Sequence, residues 1–120
     1  MQTAAQVLVA LVALIHLCFL VLEMFLWDTP RGRKAFSTTE EFSARSATLA
    51  ANQGLYNGFM AAGLLWSLVA ADPVGYQAAV FFLSCLIVAG VYGAATVSRR
   101  ILLVQAAPAA LALAAVLTAG

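Results

Sequence analysis

The sequence predicts an all-α fold: a four-helix transmembrane bundle of up-down topology. Three observations carry this. The chain has 120 residues, of which 64% are hydrophobic and 9% charged, where a soluble domain carries about a quarter charged residues. Four apolar runs, at about 7–27, 48–71, 76–97 and 101–118, each approach the length that crosses a hydrocarbon core of about 30 Å at 1.5 Å per residue. All six Lys and Arg residues fall in the first and third connections between these runs. In an odd-even topology those connections share a side, and the positive-inside rule makes that side cytoplasmic. One domain, 1–120, then has both termini outside the cytoplasm.

The first span runs from Val7 to Trp27. A signal peptide is disfavoured, because no Lys or Arg precedes the apolar run and no Ala-x-Ala site follows it. Trp27 falls where an interfacial aromatic belt belongs. Asp28 to about Ser46 is a polar connection in which Pro30 and Gly32 make a turn. Ser37 with Glu40, and Thr38 with Glu41, form two overlapping capping boxes. They predict a helix starting near 38, ahead of the membrane and continuous with the second span. Phe36 and Phe42 rest at the interface. Asp72-Pro73-Val74-Gly75 is a tight turn that joins antiparallel neighbours. The third span follows, then the short basic loop Ser98-Arg99-Arg100. The fourth span is alanine-rich, and Pro108 kinks it. Gly54-x-x-x-Gly58 and Ala89-x-x-x-Gly93 are small-residue faces that let helices approach closely. Bundle packing is their first use and a homodimer interface the less favoured one.

Polar side chains inside these spans are the candidate site. Counted from the cytoplasmic ends at about 1.5 Å per residue, Glu23 lies ~6 Å deep, Asn52 and Gln53 ~8–9 Å, Tyr92 ~9 Å and Gln105 ~8 Å. Deeper come Tyr56 at ~14 Å, Asn57 at ~15 Å and His16 at ~16 Å. On the first helix His16, Leu20, Glu23 and Trp27 share a face, and on the second Gln53, Tyr56, Asn57 and Met60 do. The two stripes should face each other, with Glu23 bonded to Asn52 or Gln53 and His16 to Tyr56 or Asn57. One reading is a cavity open to the cytoplasm, in which Glu23 and His16 move protons, since ionisable residues within a membrane mark functional sites. The other is a self-satisfied network that fixes helix register. For Glu23 the functional reading is the stronger, because a carboxyl is a costly choice for glue. For His16 the two stand level, and Tyr92 and Gln105 read as a supporting polar layer.

Cys18 and Cys85 lie at ~14 and ~20 Å. A disulfide needs Cα atoms within about 7 Å, so both are read as buried small hydrophobes. One His and two Cys cannot furnish a conventional zinc site. No metal and no cofactor is expected. A net charge of +1 gives no footing for nucleic acid.

Two segments carry a family resemblance: His16-x-x-Phe19-x-x-x-Glu23-Met24-Phe25-Leu26-Trp27-x-x-Pro30-x-Gly32 and Ala51-Asn52-Gln53-Gly54-Leu55-Tyr56-Asn57-Gly58-Phe59. They resemble an uncharacterised family of small bacterial integral membrane proteins, the domain of unknown function 1304, along the whole chain. The resemblance implies a multi-pass protein of the bacterial inner membrane and no particular activity. Three functions fit the residues. A small-molecule binder or proton-coupled transporter would use the polar site directly. An intramembrane enzyme on a lipid or sterol-like substrate would use Glu23 and His16 as acid and base. An accessory subunit of a membrane complex would need the polar layer only for packing. The lipid bilayer is the common partner of all three, with a small-molecule or lipid ligand in the first two.

Overall fold

A computed structural model describes residues 1–119. Among them there are five helices and no strand: α1 Thr3–Met24, α2 Pro30–Phe36, α3 Glu40–Val69, α4 Val74–Thr96 and α5 Arg99–Ala119. Helices α1, α4 and α5 are long and apolar enough to cross a membrane. At 30 residues α3 is longer than any of them, but Asn52, Gln53, Tyr56 and Asn57 dilute its apolar character. The chain divides into two compact units. One is Leu14–Ala61, and the other combines Met1–Ala13 with the chain from Ala62 onward.

In the Leu14–Ala61 unit, α1 stops at Met24, short of the Trp27 expected from hydropathy. The Leu26 N–H reaches back to the Val21 carbonyl at 3.2 Å, and the Thr29 N–H to the Leu26 carbonyl at 3.2 Å, so the chain turns. Pro30 and Gly32, read from sequence as a turn, instead open the short helix α2. Thr29 has extended backbone and caps it: its Oγ1 accepts from the Gly32 N–H at 3.3 Å and donates to the Leu26 carbonyl at 2.6 Å. Pro30 occupies the first turn, where a missing N–H costs nothing. Gly32 is needed for close approach, because a Cβ there would run into the Leu26 and Trp27 carbonyl oxygens.

The expected capping boxes are not what starts α3. Ser37 takes the left-handed conformation (φ 57°) and closes α2, and the Thr38 N–H bonds the Arg33 carbonyl at 3.0 Å. The Thr38 Oγ1 is buried without a hydrogen-bond partner. Thr39 is the cap, its Oγ1 accepting from the Phe42 N–H at 3.1 Å. Helix α3 therefore begins at Glu40 with Thr39 as its cap, because the turn that closes α2 takes up Ser37 and Thr38.

In the other unit, the connection before α4 is ordered by Asp72, whose Oδ1 accepts from the Tyr76 N–H at 3.2 Å. Leu64, Ala79, Leu83, Leu86, Ala109, Ala112 and Val116 are fully buried. The alanines of α5 allow close contact with α4, where Gly90 lies directly against Ala106. Pro108 has no N–H to offer the Val104 carbonyl. The disturbance expected there takes the form of a π turn at Leu102–Ala106, in which the Ala107 N–H bonds the Leu102 carbonyl. Such one-turn widenings are a standard way to relieve a helix that has lost a bond.

Candidate functional site

All six residues singled out for ligand binding or proton relay, His16, Glu23, Asn52, Gln53, Tyr56 and Asn57, belong to the Leu14–Ala61 unit. The structure joins two of them. Asn57 Nδ2 donates to Glu23 Oε1 at 2.5 Å, linking α1 to α3. Asn57 is buried and Glu23 half-buried. The expected partners of Glu23, Asn52 and Gln53, are both exposed, as is Tyr56.

The difference is a rotation of α3 about its own axis. The polar residues suggested a buried stripe through Gln53, Tyr56 and Asn57. The buried stripe is instead Ser43, Ala50, Gly54, Asn57 and Ala61, which has helical spacing. Its small residues decide the matter, because they let α1 come close. A Cβ at Gly54 would lie 2.7 Å from Met24 Cγ, 3.0 Å from Glu23 Cβ and 3.2 Å from the Leu20 carbonyl oxygen. A Cβ at Gly58 would meet Leu20 Cδ1 at 2.6 Å. The Gly54-x-x-x-Gly58 motif is thus engaged within the chain. On α1 the expected face is observed: Leu20 meets Gly58 and Glu23 meets Asn57.

His16 is fully buried, its ring packed edge-on against Phe19 with centroids 5.5 Å apart. Tyr92 and Gln105 belong to the other unit. Tyr92 is 71% exposed and Gln105 lies in the π turn. Both cysteines are free; Cys18 is exposed, not buried as expected, and Cys85 is half-buried. Among the described residues no group of three His, Cys, Asp or Glu side chains converges as a metal site requires.

The structure adds contacts that the sequence did not show, between residues read there as interfacial or as part of the polar connection. Trp27 Nε1 donates to Ser46 Oγ at 3.0 Å, and the indole stacks on Phe36 with centroids 4.9 Å apart. Ser46 in turn donates to the Phe42 carbonyl at 2.7 Å. Arg33 reaches Asp28 at 3.0 Å and Arg45 reaches Glu41 at 3.2 Å. The small-residue stripe on α3, rotated about the helix axis from the polar one, was the signal that could have placed Ser46 beside the end of α1.

Residues 10–117 match the model of a family described as "Protein of unknown function (DUF1304)". The chain belongs to the DUF1304 family. A relative, "Uncharacterized protein YpaA" of Lactococcus lactis subsp. lactis (strain IL1403), is 31% identical over 109 residues, covering 89% of this chain and 91% of that one. No solved structure matches the chain. The DUF1304 match takes in both α1 from Ala10 onward and the whole of α3, so the Glu23–Asn57 pair lies within it.

Proposed function

We propose that this chain is a four-span protein of the bacterial cytoplasmic membrane that binds a small organic cation at Glu23, from the cytoplasmic side. The three apolar helices supply three spans, and α3 is the fourth. At about 1.5 Å per residue α3 is about 45 Å long, enough to cross a core of about 30 Å and project its first turns beyond it. By the positive-inside rule the connections that carry Arg31, Arg33, Lys34 and Arg45, and Arg99 and Arg100, each face the cytoplasm, and both termini the other side.

The observation that carries the reading is the Asn57–Glu23 hydrogen bond between two helices, with Glu23 left half-exposed. A carboxyl near the end of a membrane helix is expensive to keep and marks ligand or ion sites. A neutral amide orients the carboxyl without an opposing charge, so a cationic ligand would be what pairs with Glu23 in its ionised form. Tyr56 and Phe59, which flank Asn57 on the same turn of α3, are exposed, with their rings edge-to-face at 5.9 Å between centroids, and offer aromatic surface of the kind that favours organic cations.

Tetraphenylphosphonium binding to the purified protein in lipid nanodiscs, followed by equilibrium dialysis, tests this. Wild type should show saturable binding that Glu23→Gln removes, while Gln retains the hydrogen bond to Asn57 and hence the fold. Equal binding by Glu23→Gln would refute the site. The tight contact at Gly54 favours a second reading, in which the pair is only a clasp that holds α1 against α3. In that case wild type itself fails to bind the cation.

A further inference from the structure

We infer that α2 and the first turns of α3 form a docking platform for an anionic phospholipid, with Arg31 and Lys34 taking the headgroup phosphate. The inference rests on the membrane reading above and concerns a different part of the chain from Glu23.

Charge makes the first argument. Arg33 and Arg45 are spent on Asp28 and Glu41. Arg31 and Lys34 are exposed and enter no ion pair among the described residues. They stand three positions apart on a helix, and so on one face. Gly32 and Phe36 occupy the opposite face, one jammed against the Leu26 and Trp27 backbone and the other stacked on the Trp27 ring. The two cations therefore project from a helix that is held rigidly.

The second argument is apolar surface in the same unit. Thr39, Glu41, Phe42, Arg45, Ser46 and Leu49 line a shallow groove on α3. Phe42 and Leu49 are 55% and 75% exposed. Trp27 joins α2, the helix that carries the cations, to the groove: its ring stacks on Phe36 of α2 while its Nε1 bonds Ser46 in the groove wall. Two unneutralised cations on α2, and the exposed Phe42 and Leu49 in a groove of mixed polarity on α3 of the same unit, match the two halves of an anionic lipid: a phosphate and an acyl chain. Basic residues beside a membrane segment are the usual recognition element for such headgroups.

The experiment reconstitutes the full chain in nanodiscs of phosphatidylcholine with a minor share of phosphatidylglycerol, extracts it in mild detergent and counts retained lipids by native mass spectrometry. Wild type should hold phosphatidylglycerol in excess of its share by on the order of tenfold, from two cations near the surface. The double variant Arg31→Gln, Lys34→Gln should fall to the bulk ratio with unchanged Trp27 fluorescence. Leu49→Ser should lose retained lipid without changing the preference for charge. Undiminished enrichment in the double variant, or no enrichment in wild type, would overturn the platform. Failure of the membrane reading shows separately: the chain would not float with liposomes after alkaline extraction.

Discussion

Alanine at Gly54 and alanine at Gly58 should move stability in opposite directions, although the two substitutions are chemically identical and one turn apart. Replacing a helical glycine gains about 1 kcal/mol of helix propensity at either position. The difference lies in what the new methyl meets. At Gly58 it meets the tip of Leu20, Cδ1 at 2.6 Å, with Cγ already 3.8 Å away. A leucine methyl can rotate aside, so Gly58→Ala should be neutral or stabilising by up to about 1 kcal/mol. At Gly54 it meets Met24 Cγ at 2.7 Å, Glu23 Cβ at 3.0 Å and the Leu20 carbonyl oxygen at 3.2 Å. The last two are tied to the backbone of α1, so the helices must separate or the site must strain. Overpacking of this kind costs about 1–3 kcal/mol. Set against the propensity gain, Gly54→Ala should end up to about 2 kcal/mol less stable than wild type. It also displaces Glu23, the acceptor of the Asn57 bond. Thermal unfolding in one detergent reads the contrast, at several degrees per kcal/mol for a chain of this size. A Gly54→Ala protein as stable as Gly58→Ala would refute the close approach of α1 and α3 at Gly54.

Three further outcomes follow from the same contacts. Glu23→Gln should unfold near the wild-type temperature, whereas Glu23→Leu strands the buried Asn57 amide and should lose about 1–3 kcal/mol in the same melting assay. Gly32→Ala forces a methyl onto fixed carbonyl oxygens, so α2 should detach, and trypsin should cut after Arg31, Arg33 and Lys34 much faster than in wild type. A reporter fused to the C-terminus should be active if it works only outside the cytoplasm and silent if it works only inside; the reverse would overturn the proposed orientation.

Much of the architecture was legible because long apolar helices advertise themselves by composition. The apolar runs behind α1, α4 and α5 and the place of Glu23 on α1 follow from hydropathy and a 3.6-residue period. The rotation of α3 did not, because Gln53, Tyr56 and Asn57 look like one polar face when polarity is taken as the sign of an interior. Closeness of approach decides which face is buried, and Gly54 and Gly58 carry that information through what they lack. Helix α2 was missed for a related reason. Pro30 and Gly32 read as turn residues, although Thr29 before Pro30 is also the pattern of a helix start. Gly32 serves contact, not a turn. At Pro108 the position of the disturbance was readable, but its form as a π turn depends on which carbonyls need new donors.

The central claim is that a carboxyl and an amide from two helices meet inside the bilayer, at Glu23 and Asn57. Solid-state NMR measures this directly in lipid-reconstituted protein carrying carbon-13 in Glu side-chain carboxyls and nitrogen-15 in Asn side-chain amides. The account predicts a carbon–nitrogen separation under about 4 Å, as a hydrogen bond requires, with the dipolar signal lost in Asn57→Leu. Absence of that coupling in the wild-type protein, or its survival in Asn57→Leu, would contradict it.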